Sequence, residues 1–201
     1  MKLYSGNPHY LEFRGRPLVV VGSGEHYGAV LNRDFDYRPY LDALARDGLN
    51  QVRLFSGTYR ELPGEFGIVD NTLAPQPGRF ICPWREISEG RLDLELWNEA
   101  YFARLHDFVR CASEHSILVE LVLFCFWYND TLWGHSPMHP ANNTQNVGPT
   151  DKEQVYTLED NPLLPVQERL VRELVTRLNE HDNVYFEVCN ELKLIIDLIY
   201  Q

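Results

Sequence analysis

Basic side chains are in short supply. With 18 Lys and Arg against 29 Asp and Glu, the 201 residues carry a formal net charge of -11, a balance that repels a phosphate backbone or an anionic membrane. Nucleic acid and membrane are therefore not expected partners. Long apolar runs are missing too. The opening Met1-Lys2-Leu3-Tyr4-Ser5-Gly6-Asn7-Pro8 has no signal-peptide core, and no uninterrupted stretch approaches the ~20 residues of a membrane span. A cytoplasmic location is the expectation. There are only 4 cysteines (Cys82, Cys111, Cys125, Cys189), without a C-x-x-C pair, and they read as reduced, buried thiols rather than as a disulfide or metal set.

Several site types are excluded by absence. Gly22-Ser23-Gly24-Glu25-His26-Tyr27-Gly28 is an incomplete G-x-G-x-x-G with no long helix directly after it, so a nucleotide phosphate loop is rejected. No G-x-S-x-G element supports a serine hydrolase. His135-Ser136-Pro137-Met138-His139 has no further ligand at metal-site spacing, and Pro137 breaks any helix that would align the two imidazoles. It reads as a plain loop, and neither metal nor cofactor is expected.

What is present is a single globular domain over 1–201, with 44% hydrophobic and 23% charged residues. A hairpin over 10–20 runs into an apolar strand near 18–23. Tyr40, Leu41, Leu44 and Ala45 then fall at helical spacing, with Gly48 as the stop. A second strand lies near 50–55. A helix from about Leu96 to Glu114, with Trp97, Tyr101, Leu105, Phe108 and Val109 on one face, leads into a third strand near 117–126. Asn161 as N-cap and Pro162 at the first helical position open a helix with Leu163, Val166, Leu170, Leu174 and Leu178 inward, and a fourth strand follows near 184–190.

Alternating strands and amphipathic helices predict an α/β fold with a parallel sheet and right-handed crossovers. The helix-to-strand joints are short, whereas the strand-to-helix segments 56–94 and 127–160 far exceed the usual ~2–6 residues. All leave the C-terminal ends of strands, the face where such folds bind ligands. They and the adjoining strand ends carry Tyr27, Tyr59, Phe66, Phe80, Trp84, Trp127, Tyr128, Trp133 and Tyr156. Flat rings suit the C–H faces of sugars, and equally suit ordinary loop packing; Trp127 and Trp133, near the end of the third strand, are read as a sugar platform, with Tyr128 beside them.

The fourth strand, Val184-Tyr185-Phe186-Glu187-Val188-Cys189, closes on Asn190-Glu191. In that position the pair resembles the fourth strand of clan A glycoside hydrolases, the (β/α)8 barrels that include family 5 cellulases. Val52-Arg53-Leu54 resembles the clan's second strand. The resemblance implies that Glu191 is the general acid/base, that Asn190 holds the sugar 2-hydroxyl, and that Arg53 supports the nucleophilic carboxylate. Arg53 also reads as an ion-pair partner for Glu120 or Glu187. Alternation places Tyr185, Glu187, Cys189 and Glu191 on one face, with Glu187 one layer below Glu191 in a supporting role. Glu25, His26 and Tyr27 would sit at the barrel mouth, where His26 and Tyr27 suit hydrogen bonding to sugar hydroxyls, although a glycine-rich turn explains them too.

A (β/α)8 barrel takes about 250 residues, and four strands use up this sequence. The implied fold is a barrel truncated to its first four βα units, without the seventh strand that carries the clan's nucleophile. After Glu191 an apolar tail, Leu192-Lys193-Leu194-Ile195-Ile196-Asp197-Leu198-Ile199-Tyr200-Gln201, has no family counterpart. Two functions follow: the acid/base half of a hydrolase of β-linked oligo- or polysaccharides, inactive or nearly so alone, or a non-catalytic carbohydrate-binding or assembly module. In either case open barrel edges favour self-association.

Overall fold

The computed structural model describes residues 1–23, 26–158 and 160–191. Gly24, Glu25 and the apolar tail 192–201 lie outside the described residues, so the placement of Glu25 at the mouth is not addressed. Three short strands, β1 (Lys2–Leu3), β2 (Leu11–Phe13) and β3 (Arg16–Leu18), pair antiparallel in that order. Arg14 and Gly15 both have positive φ (49° and 78°), as a two-residue hairpin turn whose twist matches the strands requires. The Arg14 guanidinium reaches Asp182 Oδ2 and Oδ1 at 2.9 and 2.8 Å and Ser113 Oγ at 2.6 Å. It docks the hairpin onto residues just before the fourth strand of the main sheet.

That sheet is parallel, in the order β4 (Gly22–Ser23), β5 (Gln51–Phe55), β8 (Leu118–Cys125), β9 (Val184–Asn190). Neighbours in space are successive βα units in sequence, the winding of a barrel wall. The connecting helices are α1 (Tyr37–Arg46), α2 (Glu99–Glu114) and α4 (Leu164–Leu178); a single-turn helix, α3 (Asp130–Trp133), lies in the segment after β8. Asp36 caps α1 by accepting from the Arg38 N–H at 3.2 Å, one of the orphan donors of a helix start. Leu41, Leu105, Val109, Leu170 and Leu174 are fully buried in one core with Val52, Leu54, Val119 and Leu121, so the strand residues alternating with Arg53 and Glu120 face the helices.

Three boundaries differ from the sequence expectation. The first strand is not continuous over 18–23: β3 ends at Leu18, and only Gly22–Ser23 pairs with β5. Between them the Asn50 side chain takes the neighbouring strand's place, accepting from Val21 N at 2.8 Å and donating to Val19 O at 2.9 Å. Val19 is left 62% exposed. Leu96 does not start a helix, because it belongs to a two-stranded antiparallel ribbon, β6 (Trp84–Ser88) with β7 (Arg91–Trp97), and α2 begins after it. The alternating Leu92, Leu94 and Leu96 carry the period-2 signal of that strand. Asn161 is not the cap of α4: its Oδ1 accepts from Leu163 N at 3.0 Å and its Nδ2 donates to Val155 O at 2.8 Å. It ties the preceding loop, and Pro165 rather than Pro162 sits in the first turn.

Among the described residues the outer strands β4 and β9 each have one unpaired edge. Val188 on β9 is 72% exposed.

Candidate active site

Polar side chains of β5, β8 and β9 meet in layers on the face away from the helices. In the lower layer Gln51 Nε2 donates to Glu120 Oε2 at 2.7 Å and to the Tyr185 hydroxyl at 3.0 Å. Above it Arg53 pairs with Glu187: Nε lies 3.0 Å from Oε2 and Nη2 closes a second contact to the same oxygen. Glu120 Oε2 is 3.7 Å from Arg53 Nε. Nη2 also donates to Asn190 Oδ1 at 3.0 Å. One guanidinium therefore links the middle of β9 to its C-terminal end. Burial pulls the Arg53 pKa down, but the hydrogen bond and charge of Glu187 outweigh it, leaving the guanidinium above its ordinary value.

Glu187 and Asn190 are three residues apart, yet both touch Arg53. Strict alternation fails here, and the expectation that Tyr185, Glu187, Cys189 and Glu191 share one face stands only for its lower part, where Tyr185 and Glu187 line the inner layers. The cause is the strand end. Asn190 turns its amide so that the oxygen meets Arg53 while Nδ2 faces Cys125 Sγ at 3.5 Å, a weak acceptor. Glu191 follows with φ 52°, a left-handed conformation that costs a non-glycine residue roughly 1–2 kcal/mol. Such strain concentrates at functional positions.

Glu191 is exposed at the mouth. Burial, then the nearby Glu191 carboxylate, raise the Tyr128 pKa, which keeps the phenol neutral. Tyr128 is 44% exposed and its ring meets Tyr59 and Phe66 edge-on at 6.3 and 5.1 Å. The Cys125 and Cys189 thiols are each pushed up to about 12, chiefly by burial, which removes a thiolate as nucleophile near neutral pH.

Tyr27 stacks on Phe55 at 5.3 Å, and the Arg53 guanidinium lies 5.7 Å from its ring centroid. His26, with φ 61°, stacks on Phe35 at 4.8 Å and meets Tyr40 edge-on at 4.9 Å. Both line a cavity of about 340 Å³ together with Glu61 and residues 68–73. Glu61 is buried, accepting from the Tyr59 hydroxyl at 3.0 Å and from Asn71 Nδ2. Its place beside Tyr128 depends on loop folding, and nothing in the local sequence marks it except an acidic residue two positions after a tyrosine in an aromatic-rich loop.

Trp127 and Trp133 do not form an open platform. They are 0% and 1% exposed, packed on each other at 4.5 Å, and Trp127 stacks on Tyr156 at 5.5 Å with planes 7° apart. Trp133 Nε1 donates to Thr150 O at 3.1 Å. A connection this long must bury apolar surface to stay ordered, and these rings supply its core. His135 and His139 are likewise separate, one ring facing Thr131 O at 2.8 Å and the other accepting from Ala141 N at 3.2 Å.

No family model and no curated protein matches the chain. Solved structures do. An endo-1,4-β-mannanase from Rhizomucor miehei is similar with a TM-score of 0.59 at 12% identity, over 90% of this chain and 46% of that one. A glycoside hydrolase family 5 mannosidase from the same organism, in complex with mannosyl-fructose, gives 0.55 at 16%, over 94% and 48%. An exo-β-1,4-mannosidase from the Opitutaceae bacterium strain TAV5 gives 0.54 at 16%, over 100% and 30%. The chain spans less than half the length of each of these proteins. At these identities the likeness is one of fold, and this chain therefore shares part of the barrel fold of family 5 glycoside hydrolases.

Proposed function

We propose that this chain supplies the acid/base side of a glycoside hydrolase site acting on β-linked carbohydrate. The observation that carries the reading is the Arg53 guanidinium bound to both Glu187 and Asn190, the residue before Glu191 with its positive φ at the strand end. Glu191 is the proton donor to the leaving oxygen. Asn190, its amide oxygen held by Arg53 and one N–H facing Cys125 Sγ, has its second N–H for the sugar 2-hydroxyl. Arg53 is a positioning residue. Tyr128 orients the Glu191 carboxyl, and Tyr27 and His26 line the sugar-binding mouth.

Hydrolysis needs a second carboxylate, about 5–5.5 Å from the first in a retaining site. In this reading it comes from barrel strands beyond the four described, as the clan resemblance implies. The four parallel strands then form one wall of the site. Because the named similar structures include a β-1,4-mannanase and a β-1,4-mannosidase, β-1,4-mannosides are the first substrates to try.

The test is hydrolysis of aryl β-mannosides and β-glucosides by the 201-residue chain alone and by the chain joined to the remaining barrel strands. The chain alone is expected at or near background, since loss of one member of a catalytic pair commonly costs several orders of magnitude. The completed barrel turns over, and Glu191→Gln abolishes it. Robust turnover by the chain alone overturns this reading and directs attention to Glu61, Glu65, Asp130 and Asp151. Sugar binding without turnover in the completed barrel favours a non-catalytic carbohydrate-binding or assembly module.

A further inference from the structure

Away from the mouth, near the N-terminal end of β9, one cluster of three metal-capable side chains occurs among the described residues: His106 on α2, and Glu180 and His181 in the turn between α4 and β9. His106 Nδ1 lies 3.2 Å from His181 Nε2. Glu180 Oε1 is 3.8 Å from that His106 nitrogen and 3.9 Å from that His181 nitrogen. The same three atoms define all three distances, so they form one triangle.

The centre of such a triangle is about 2 Å from each corner, and zinc bonds to imidazole nitrogen and carboxylate oxygen are about 2.0–2.2 Å long. Neighbouring ligands on an ideal tetrahedron of these bonds are about 3.4 Å apart. The nitrogen pair is already slightly closer than that, and the carboxylate needs to move inward by roughly half an ångström to complete the face. Glu180 is mostly exposed and free to make that adjustment, whereas the His181 side chain is largely buried and fixed. Two imidazoles and one carboxylate are a ligand set that suits zinc and leaves a fourth position to water.

We propose that His106, Glu180 and His181 bind a divalent zinc ion. The ion would join the middle of α2 to the turn that launches β9, where Arg14 already binds Asp182 and Ser113 from the hairpin. It lies at the end of β9 opposite Asn190 and Glu191, so the proposal stands or falls independently of the sugar chemistry.

Calorimetric titration of the 201-residue chain with Zn2+ tests it. One equivalent is expected to bind, with affinity at least tenfold weaker in His106→Gln and in His181→Gln, and unchanged when His135 and His139 are both replaced by Gln. In the unaltered chain, stoichiometric Zn2+ is expected to protect His106 and His181 from diethyl pyrocarbonate, read by peptide mass spectrometry. The absence of stoichiometric binding overturns the proposal. So does binding that survives replacement of both His106 and His181, or modification of the two that Zn2+ leaves unchanged.

Discussion

Arg53 balances the charge of the inner layers. It faces Glu187 and Glu120, and all three side chains are about one-fifth exposed, so removing the cation leaves carboxylates short of both solvent and partner. Arg53→Gln is expected to lower unfolding free energy by about 2 kcal/mol, in line with hydrogen bonds to charged groups discounted for this exposure. Adding Glu187→Gln to that variant should cost little more. Urea titration of the two single variants and the double variant checks the coupling, and fully additive losses would contradict it. At this scale the sequence was informative where chemistry is local. Arg53 interrupts an apolar strand and so announces a buried acidic partner. Trp127 and Trp133 misled because a tryptophan in a long loop carries the same local signal whether it faces solvent or fills the loop's own core. The ring contacts of Tyr128 with Tyr59 and Phe66 join residues distant in sequence, which no spacing rule reveals.

Elements set where these residues stand. The segment 68–73 is held over the mouth partly by close backbone approach at Gly28, where an added Cβ would collide with the Thr72 carbonyl. Gly28 N also donates to Thr72 Oγ1 at 3.1 Å. Gly28→Ala is therefore expected to cost about 1–3 kcal/mol, as overpacking does. It should also loosen the cavity shared by Tyr27 and Glu61; thermal unfolding measures the first effect and amide hydrogen exchange at 68–73 the second. Unaltered values in both would contradict the contact.

Acid should weaken the packing of α1, α2 and the hairpin. Hydrogen bonds from Tyr37 and Arg110 hold the Asp107 carboxyl below its ordinary pKa, and the hydrogen bond from Arg14 does the same for Asp182. A carboxylate depressed in the fold contributes its stability above its unfolded pKa and loses it as pH falls through the folded one. Burial lowers the His139 pKa, so its neutral form is favoured in the fold and stability falls as pH drops below about 6.5. Stability is thus expected to decline from pH 7 to 5 and more steeply below about 4. A flat profile in chemical denaturation would contradict these pairings. The first parallel strand lies at Gly22–Ser23 rather than on the apolar run 18–21, whereas the second, third and fourth were legible as elements from their apolar runs. The β6–β7 ribbon was not, because its Leu96-Trp97 end adjoins α2 and extends that helix's apolar pattern backward.

At the scale of the molecule, a parallel sheet covered by helices on one face carries charged layers on the other, and among the described residues β4 and β9 each have an unpaired edge. Val19, Val20, Val21 and Val188 are exposed beside those edges. Unpaired strand edges and apolar surface promote association. Light scattering on the eluting chain is expected to show species heavier than 23.4 kDa that grow with concentration; a strict monomer across the range would show that the edges are protected. The barrel relationship was legible from the order of units and from where Asn190-Glu191 falls in that order, since parallel βα winding gathers strand ends on one face.

The central claim is that a β-linked sugar binds at that mouth, against Asn190 and Glu191. Its most direct test is amide chemical-shift mapping of the 201-residue chain titrated with β-1,4-mannotriose. Saturable shifts centred on Tyr27, Arg53, Tyr128, Asn190 and Glu191 are expected, with binding weakened about tenfold by Asn190→Ala, the loss of one well-made hydrogen bond. Shifts centred elsewhere, or none at millimolar sugar, would contradict it.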